Sequence, residues 1–98
     1  MYEKLGSTYL CFGDYRQAIT YFYQSLIITK EMGERATEGN VYHRLGVACR
    51  CLDDYKEATV HLKQSLIIAK ETTNRTKEAE VFNNLGRAYH EIGRASCR

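Results

Sequence analysis

Tyr42-His43-Arg44-Leu45-Gly46-Val47-Ala48-Cys49 decides the fold, because the chain spells this segment three times at a spacing of forty residues. Upstream stands Tyr2-Glu3-Lys4-Leu5-Gly6-Ser7-Thr8-Tyr9, and downstream Phe82-Asn83-Asn84-Leu85-Gly86-Arg87-Ala88-Tyr89. The echo continues beyond the Leu-Gly pair. Asp14-Tyr15 falls on Asp54-Tyr55, Ala18 on Ala58, and Gln24-Ser25-Leu26-Ile27-Ile28 on Gln64-Ser65-Leu66-Ile67-Ile68. Residues 2–38 and 42–78 share 16 identities in 37 positions, where chance gives about two at average amino-acid usage. A period of this length signals an array of stacked units rather than one irregular domain.

Each unit reads as two helices. Val41, Leu45, Ala48, Cys49 and Leu52 recur at helical spacing as an apolar stripe, and Asn40, His43, Val47 and Arg50 form a second, mostly polar one. Gly13-Asp14 and Asp53-Asp54 interrupt the pattern, as Gly93 does in the third copy, and these residue types suit a tight reversal. The following helix carries Tyr15, Ala18, Ile19, Phe22, Leu26 and Ile28 in copy one, matched by Tyr55, Ala58, Leu62, Leu66 and Ile68 in copy two. Ile27 and Ile67 widen the stripe, which predicts burial on more than one side. Gly33-Glu34 and Thr73-Asn74 end these helices. No run alternates with period two, so strands are not expected. The reading is five helices, over 1–12, 15–31, 35–52, 55–72 and 75–92.

Tyr-x-x-Leu-Gly-x-x-Tyr followed by Ala18-x-x-x-Phe22, or Ala58-x-x-x-Leu62, resembles the tetratricopeptide repeat. Gly6 and Ala18 are small enough for paired helices to approach closely, while Tyr2, Leu5, Tyr9 and Phe22 fill the space around them. The resemblance implies an all-α, right-handed superhelical solenoid of antiparallel helix pairs, about two and a half repeats long. Its units are residues 1–34, with a truncated start, residues 35–74, and the first helix of a third unit at 75–93; residues 94–98 form an unmatched tail. HEAT and armadillo repeats share the period range but do not call for Leu-Gly with Ala-x-x-x-Phe. The forty-residue unit exceeds the usual 34 by about 1.7 helical turns, and Lys30 or Lys70 stands where Pro often ends the unit. This longer form is similar to two groups: spindle-orientation adaptors and, more closely, large scaffolds resembling tetratricopeptide repeat protein 28, some of which carry a caspase-like CHAT domain.

Composition removes other classes. The chain has 98 residues, 44% apolar and 27% charged, which is too apolar for a disordered tail. Fourteen Lys and Arg against twelve Asp and Glu leave +2, too little for a dedicated nucleic-acid surface or a polybasic membrane anchor. Apolar runs such as Leu26-Ile27-Ile28 are far too short to span a bilayer. The start, Met1-Tyr2-Glu3-Lys4, has no apolar signal core, so a cytoplasmic chain with reduced thiols is expected.

The four cysteines suggest neither metal nor disulfide. Cys49 takes the core position of Tyr9 and Tyr89, and Cys49 and Cys51 point about 200° apart on one helix. Cys11 and Cys51 are equivalent positions, Cys97 lies in the tail, and no C-x-x-C spacing exists. His43, His61 and His90 have no nucleophile at a recognisable spacing, so no catalytic residue is assigned and the three are expected at the surface or half-packed. The Leu-Gly glycines sit a whole unit apart and build no phosphate-cradling loop. No cofactor is implied.

In the family's geometry the first helices line the concave side. That places Glu3, Ser7, Asn40, His43, Val47, Arg50, Glu80, Asn83, Arg87 and His90 towards the groove, with Lys4, Arg44 and Asn84 beside them. The partner-binding set is Asn40, His43, Arg44, Val47, Arg50, Asn83, Asn84, Arg87 and His90. Asn amides can hold an extended peptide backbone, and Arg can fork onto a carboxylate. The family's clamp for a terminal carboxylate wants lysines where Glu3 and Glu80 stand, so that clamp is not expected. The resemblance thus implies a non-catalytic scaffold or adaptor that binds a protein or peptide on its concave face. Neither nucleic acid nor membrane is an expected partner, and uncapped ends could associate with one another. The alternatives are a regulatory segment of a larger enzyme, such as a CHAT-type protease, and a structural spacer. The side of the last helix bearing Val81, Phe82, Leu85 and Tyr89 is expected to lack a covering partner.

Overall fold

The computed structural model describes residues 2–96. Five α-helices follow one another: α1 (Tyr2–Cys11), α2 (Tyr15–Met32), α3 (Arg35–Cys51), α4 (Tyr55–Glu71) and α5 (Arg75–Ser96). No strand occurs among the described residues. The chain is an all-α helical-repeat solenoid.

One turn is used four times. Gly13, Gly33, Asp53 and Thr73 stand twenty residues apart, and each adopts the left-handed backbone, with φ of 83°, 71°, 63° and 56°. At each, the N–H returns to the carbonyl three residues back and the next N–H returns five back, at 2.9–3.2 Å. This pattern satisfies carbonyls that a helix end leaves open, and it needs a residue that tolerates positive φ. Asp and especially β-branched Thr do so at a cost. At two of the four turns the side chain of the residue that follows caps the next helix, whereas Glu34 and Asp54 make no such bond. Asp14 Oδ1 accepts from the Gln17 N–H at 3.4 Å, and Asn74 Oδ1 from the Lys77 N–H at 3.1 Å.

Consecutive helices pack antiparallel, and the Leu-Gly pair serves two neighbours at once. The glycine faces its own unit's second helix. A Cβ on Gly6 would lie 2.6 Å from the Phe22 ring, and one on Gly46 would lie 2.5 Å from Leu62 Cγ. The leucine fills the core: Leu45 is fully buried among Phe22, Leu26, Val41 and Ile68, and Leu85 is buried with Leu62 and Val81. Leu5, in the first described helix, is 39% exposed. Within the second unit, Ser65 of α4 is fully buried and donates to the Gly39 carbonyl of α3 at 2.8 Å. The backbones of successive first helices, α1 with α3 and α3 with α5, approach each other closely, whereas α2 and α4 meet only through side chains such as Tyr23 and His61. The α1–α3–α5 side is therefore the inner, concave one.

Several sequence expectations change. Ile27 and Ile67 do not widen the buried stripe; they are 59% and 49% exposed on the outer side, and Ile28 is exposed too. Leu52 closes no stripe, because the turn at Asp53 carries it out to solvent. His61 is buried rather than half-packed, stacked on Tyr42 and 3.0 Å from the Tyr23 hydroxyl through Nε2. Val81 and Leu85 are covered by α4, so of these four side chains only Phe82 and Tyr89 remain half-exposed. Gly93 does not stop α5, which runs on to Ser96. Cys97 lies outside the described residues; Cys11 and Cys51 are exposed free thiols, and Cys49 is a buried one.

Candidate functional site

The nine residues expected on the inner face divide into two groups according to whether their polar atoms are already engaged. The first group centres on His43, Arg44, Val47 and Asn84, where α3 lies between α1 and α5. Arg44 donates through Nη1 to Ser7 Oγ at 2.7 Å, and its Nε lies 3.6 Å from a Glu3 carboxylate oxygen. Asn84 Nδ2 reaches His43 Nε2 at 2.8 Å and the Glu80 carbonyl at 3.2 Å. An amide nitrogen only donates, so His43 Nε2 accepts and the ring is neutral. Burial pushes the His43 pKa down to about 4, and Lys77 and Arg44 add to the effect while Glu80 opposes it. Lys77 is itself paired with Glu80 at 3.2 Å. Leu10, His43, Arg44, Val47 and Lys77 border a recess of about 260 Å³.

The second group is open. Arg50, Asn83, Arg87 and His90 line a groove of about 620 Å³ between the end of α3 and the middle of α5, together with Cys51, Asp53, Tyr55, Phe82, Gly86 and Glu91. None of those first four side chains makes a hydrogen bond or ion pair with another described residue. The Nε of Arg50 is buried and has no acceptor. At the groove's edge Asp53 accepts from the Tyr55 hydroxyl at 2.8 Å. Burial and that bond to Asp53 raise the Tyr55 pKa, the bond being the larger cause, with Glu91 adding to it and Arg50 opposing. Asn40 is half-buried further towards the start of α3, outside both hollows.

Seven of these nine side chains line the two hollows, and Asn84 bonds to one of them, but sequence reasoning did not separate the engaged from the open ones. It also missed the contributions of Tyr55, Phe82 and Gly86. The signal for Phe82 and Gly86 was present: they are the aromatic and glycine of the third Leu-Gly segment, and no second helix of that unit covers them among the described residues. Glu3 and Glu80, noted as acids where lysines would be needed for the carboxylate clamp, are tied to Arg44 and Lys77.

On the outer side, His61 and Tyr23 form a second polar contact. Burial lowers the His61 pKa and raises that of Tyr23, so both are neutral and the hydroxyl can donate to Nε2. The His61 Nδ1 is buried without a partner. Among the described residues no three His, Cys, Asp or Glu side chains converge to hold a metal ion, and no helix is long and apolar enough to cross a membrane.

A profile of the tetratricopeptide repeat family matches residues 1–71 and, in a second overlapping register, residues 37–96. The chain belongs to that family, whose repeats generally mediate protein–protein interaction. The match supports the family and neither of the two subgroups that the forty-residue unit resembles. No curated protein gives a significant match.

Proposed function

We propose that this tetratricopeptide array is a non-catalytic scaffold or adaptor that holds a peptide or short helical segment of a partner protein along its inner face. The supporting observation is the groove between α3 and α5, lined by Arg50, Asn83, Arg87 and His90, whose side chains bond no other described residue, with Arg50 Nε buried. The buried donor among them is Arg50 Nε, which costs about 1–3 kcal/mol when left without an acceptor, so a ligand that supplies one gains affinity there. His43, Arg44 and Asn84 have a different part in this reading. Their mutual bonds fix the spacing of α1, α3 and α5, and Val47 and Asn40 give contact surface beside them. The setting proposed is cytoplasmic, with the thiols reduced and with self-association through the exposed ends as a secondary property.

Photo-crosslinking tests the placement. A photoreactive residue at Val47, in the inner recess, should capture the partner, and one at Val60, which is 52% exposed on the outer helix α4, should not. Capture at Val60 alone would move the binding surface to the convex side.

A further inference from the structure

The outer helices of the first two units meet through a titratable side chain. We propose that the Tyr23–His61 contact is an acid-operated joint between those units. Protonation of the His61 ring breaks its bond to Tyr23 and opens the outer side of the array, while the inner side stays closed.

The geometry hangs this contact on one lone pair. Tyr23 comes from α2 and His61 from α4, two helices whose backbones do not approach each other closely. His61 is 7% exposed, and its Nε2 lies 3.0 Å from the Tyr23 hydroxyl. With Nε2 accepting, the ring's proton sits on Nδ1, which is buried and has no acceptor. A second proton can go only on Nε2, and it removes the lone pair that holds Tyr23. The Tyr23 oxygen could accept in turn, but the charge would stay buried and Nδ1 would still lack a partner, a costly arrangement. Glu57 offers the way out: its Oε2 lies 3.7 Å from Nε2 on a side chain that is 56% exposed.

The groups around the ring set the direction of movement. From α2 comes Tyr23; from α3 come Tyr42, stacked on the ring at 6.1 Å, and the Cys49 thiol; from α4 comes Glu57, with Asp54 just before it. Burial keeps Tyr23 and Cys49 uncharged near neutral pH, and Lys30 already lies over the Tyr42 ring at 5.6 Å. The acids among these groups, Glu57 and Asp54, are both exposed at the start of α4, so a charged ring is drawn outwards and away from Tyr23. While the joint is closed, burial outweighs those acids and holds the His61 pKa below its ordinary value. The first unit shows the same position without this property. Tyr21, equivalent to His61, stacks on Tyr2 and Tyr9 of its own unit at 6.1 and 5.4 Å, contacts that need no lone pair.

The test is a distance measured across the joint in the full chain. Spin labels on unnatural residues at Ile27 and Ile67, both exposed on the outer side, read the separation of α2 and α4 by electron paramagnetic resonance. Nitrogen-detected NMR of the imidazoles reads the state of His61. As the pH falls from about 7.5 to about 5, the distances should lengthen and broaden in step with protonation of His61, at a midpoint below 6.5. His61→Gln, which takes no proton, should hold the distance constant, and so should His61→Tyr, the residue of the first unit, which serves if the Gln variant folds poorly by circular dichroism. His43→Gln, on the inner face, should leave the response intact. Tyr23→Phe removes the donor that favours the neutral ring and should raise the His61 midpoint. A distance that stays constant while His61 titrates would overturn the proposal. So would a shift that persists in both His61 variants, or a midpoint that Tyr23→Phe leaves in place.

Discussion

Gly6, Gly46 and Gly86 occupy one repeat position, and the same substitution should have opposite effects at these sites. In the middle of a helix, Gly to Ala alone gains about 0.8–1 kcal/mol of helix propensity. At Gly86 that gain is unopposed, because no atom lies within 4 Å of the new methyl. At Gly46 the methyl would sit 2.5 Å from Leu62 Cγ and 3.2 Å from the Ala58 carbonyl oxygen. Leu62 is fully buried and has nowhere to move. Overpacking of this kind costs about 1–3 kcal/mol or more, so Gly46→Ala should be destabilising on balance, by about 1–2 kcal/mol. Gly6→Ala meets the Phe22 ring at 2.6 Å and should behave in the same way. Urea unfolding followed by circular dichroism would read all three. On thermal melting, each kcal/mol corresponds to about 4–8 °C for a chain of this size. The close approach of first and second helices is refuted if Gly46→Ala raises stability, or if Gly86→Ala lowers it as much.

Other outcomes follow from particular contacts. Thr73→Gly should stabilise the chain by about 1 kcal/mol, because it removes a β-branched residue from a left-handed turn that uses glycine at its other two purest copies; an unchanged urea midpoint would contradict this. Ser65→Ala should cost about 1–2 kcal/mol by leaving the Gly39 carbonyl without its partner, and Ser25→Ala, with no such bond, should cost less. Above pH 6.5 His43 is neutral folded and unfolded; as the pH falls towards about 4 the unfolded chain gains a proton that the folded ring refuses. Stability should therefore fall over that window, by about 2–3 kcal/mol from this group, and His43→Gln should flatten the fall, with His61 accounting for a residual slope in the same direction. Iodoacetamide at pH 8 should label Cys11 and Cys51 well before Cys49, whose thiol is buried and pushed up to about 11.

Most of the fold was legible because repetition multiplies weak signals. A single Gly-Asp is an ambiguous turn, but four reversals twenty residues apart fix the helix boundaries to within a residue or two. What the pattern could not show was which side of a two-stripe helix meets a neighbour. Ile27 and Ile67 look like core residues in a helical count, yet they face outwards, because α2 and α4 pack only on their inner flank. His61 reads as polar and is buried, since Tyr23 lies far enough along α2 to reach its ring. Gly93 carried a turn in the sequence reading because the pattern places one there. Without the Asp and the Tyr that follow Gly13, nothing at that point ends α5. The candidate site was legible as a face and not as a site. Spacing identifies Arg44 and Arg50 alike as inner-face cations, and only three-dimensional geometry shows that Ser7 and Glu3 occupy the first while the second is left open.

The most direct measurement of the central claim is a two-dimensional NMR titration of the isotopically labelled chain with a peptide selected on it. Binding in the inner groove predicts amide shifts clustered on α3 around Val47 and Arg50 and on α5 from Asn83 to His90, with Ile27, Val60 and Ile67 unmoved. Shifts confined to those outer residues, with Arg50, Asn83, Arg87 and His90 unchanged at saturation, would contradict it.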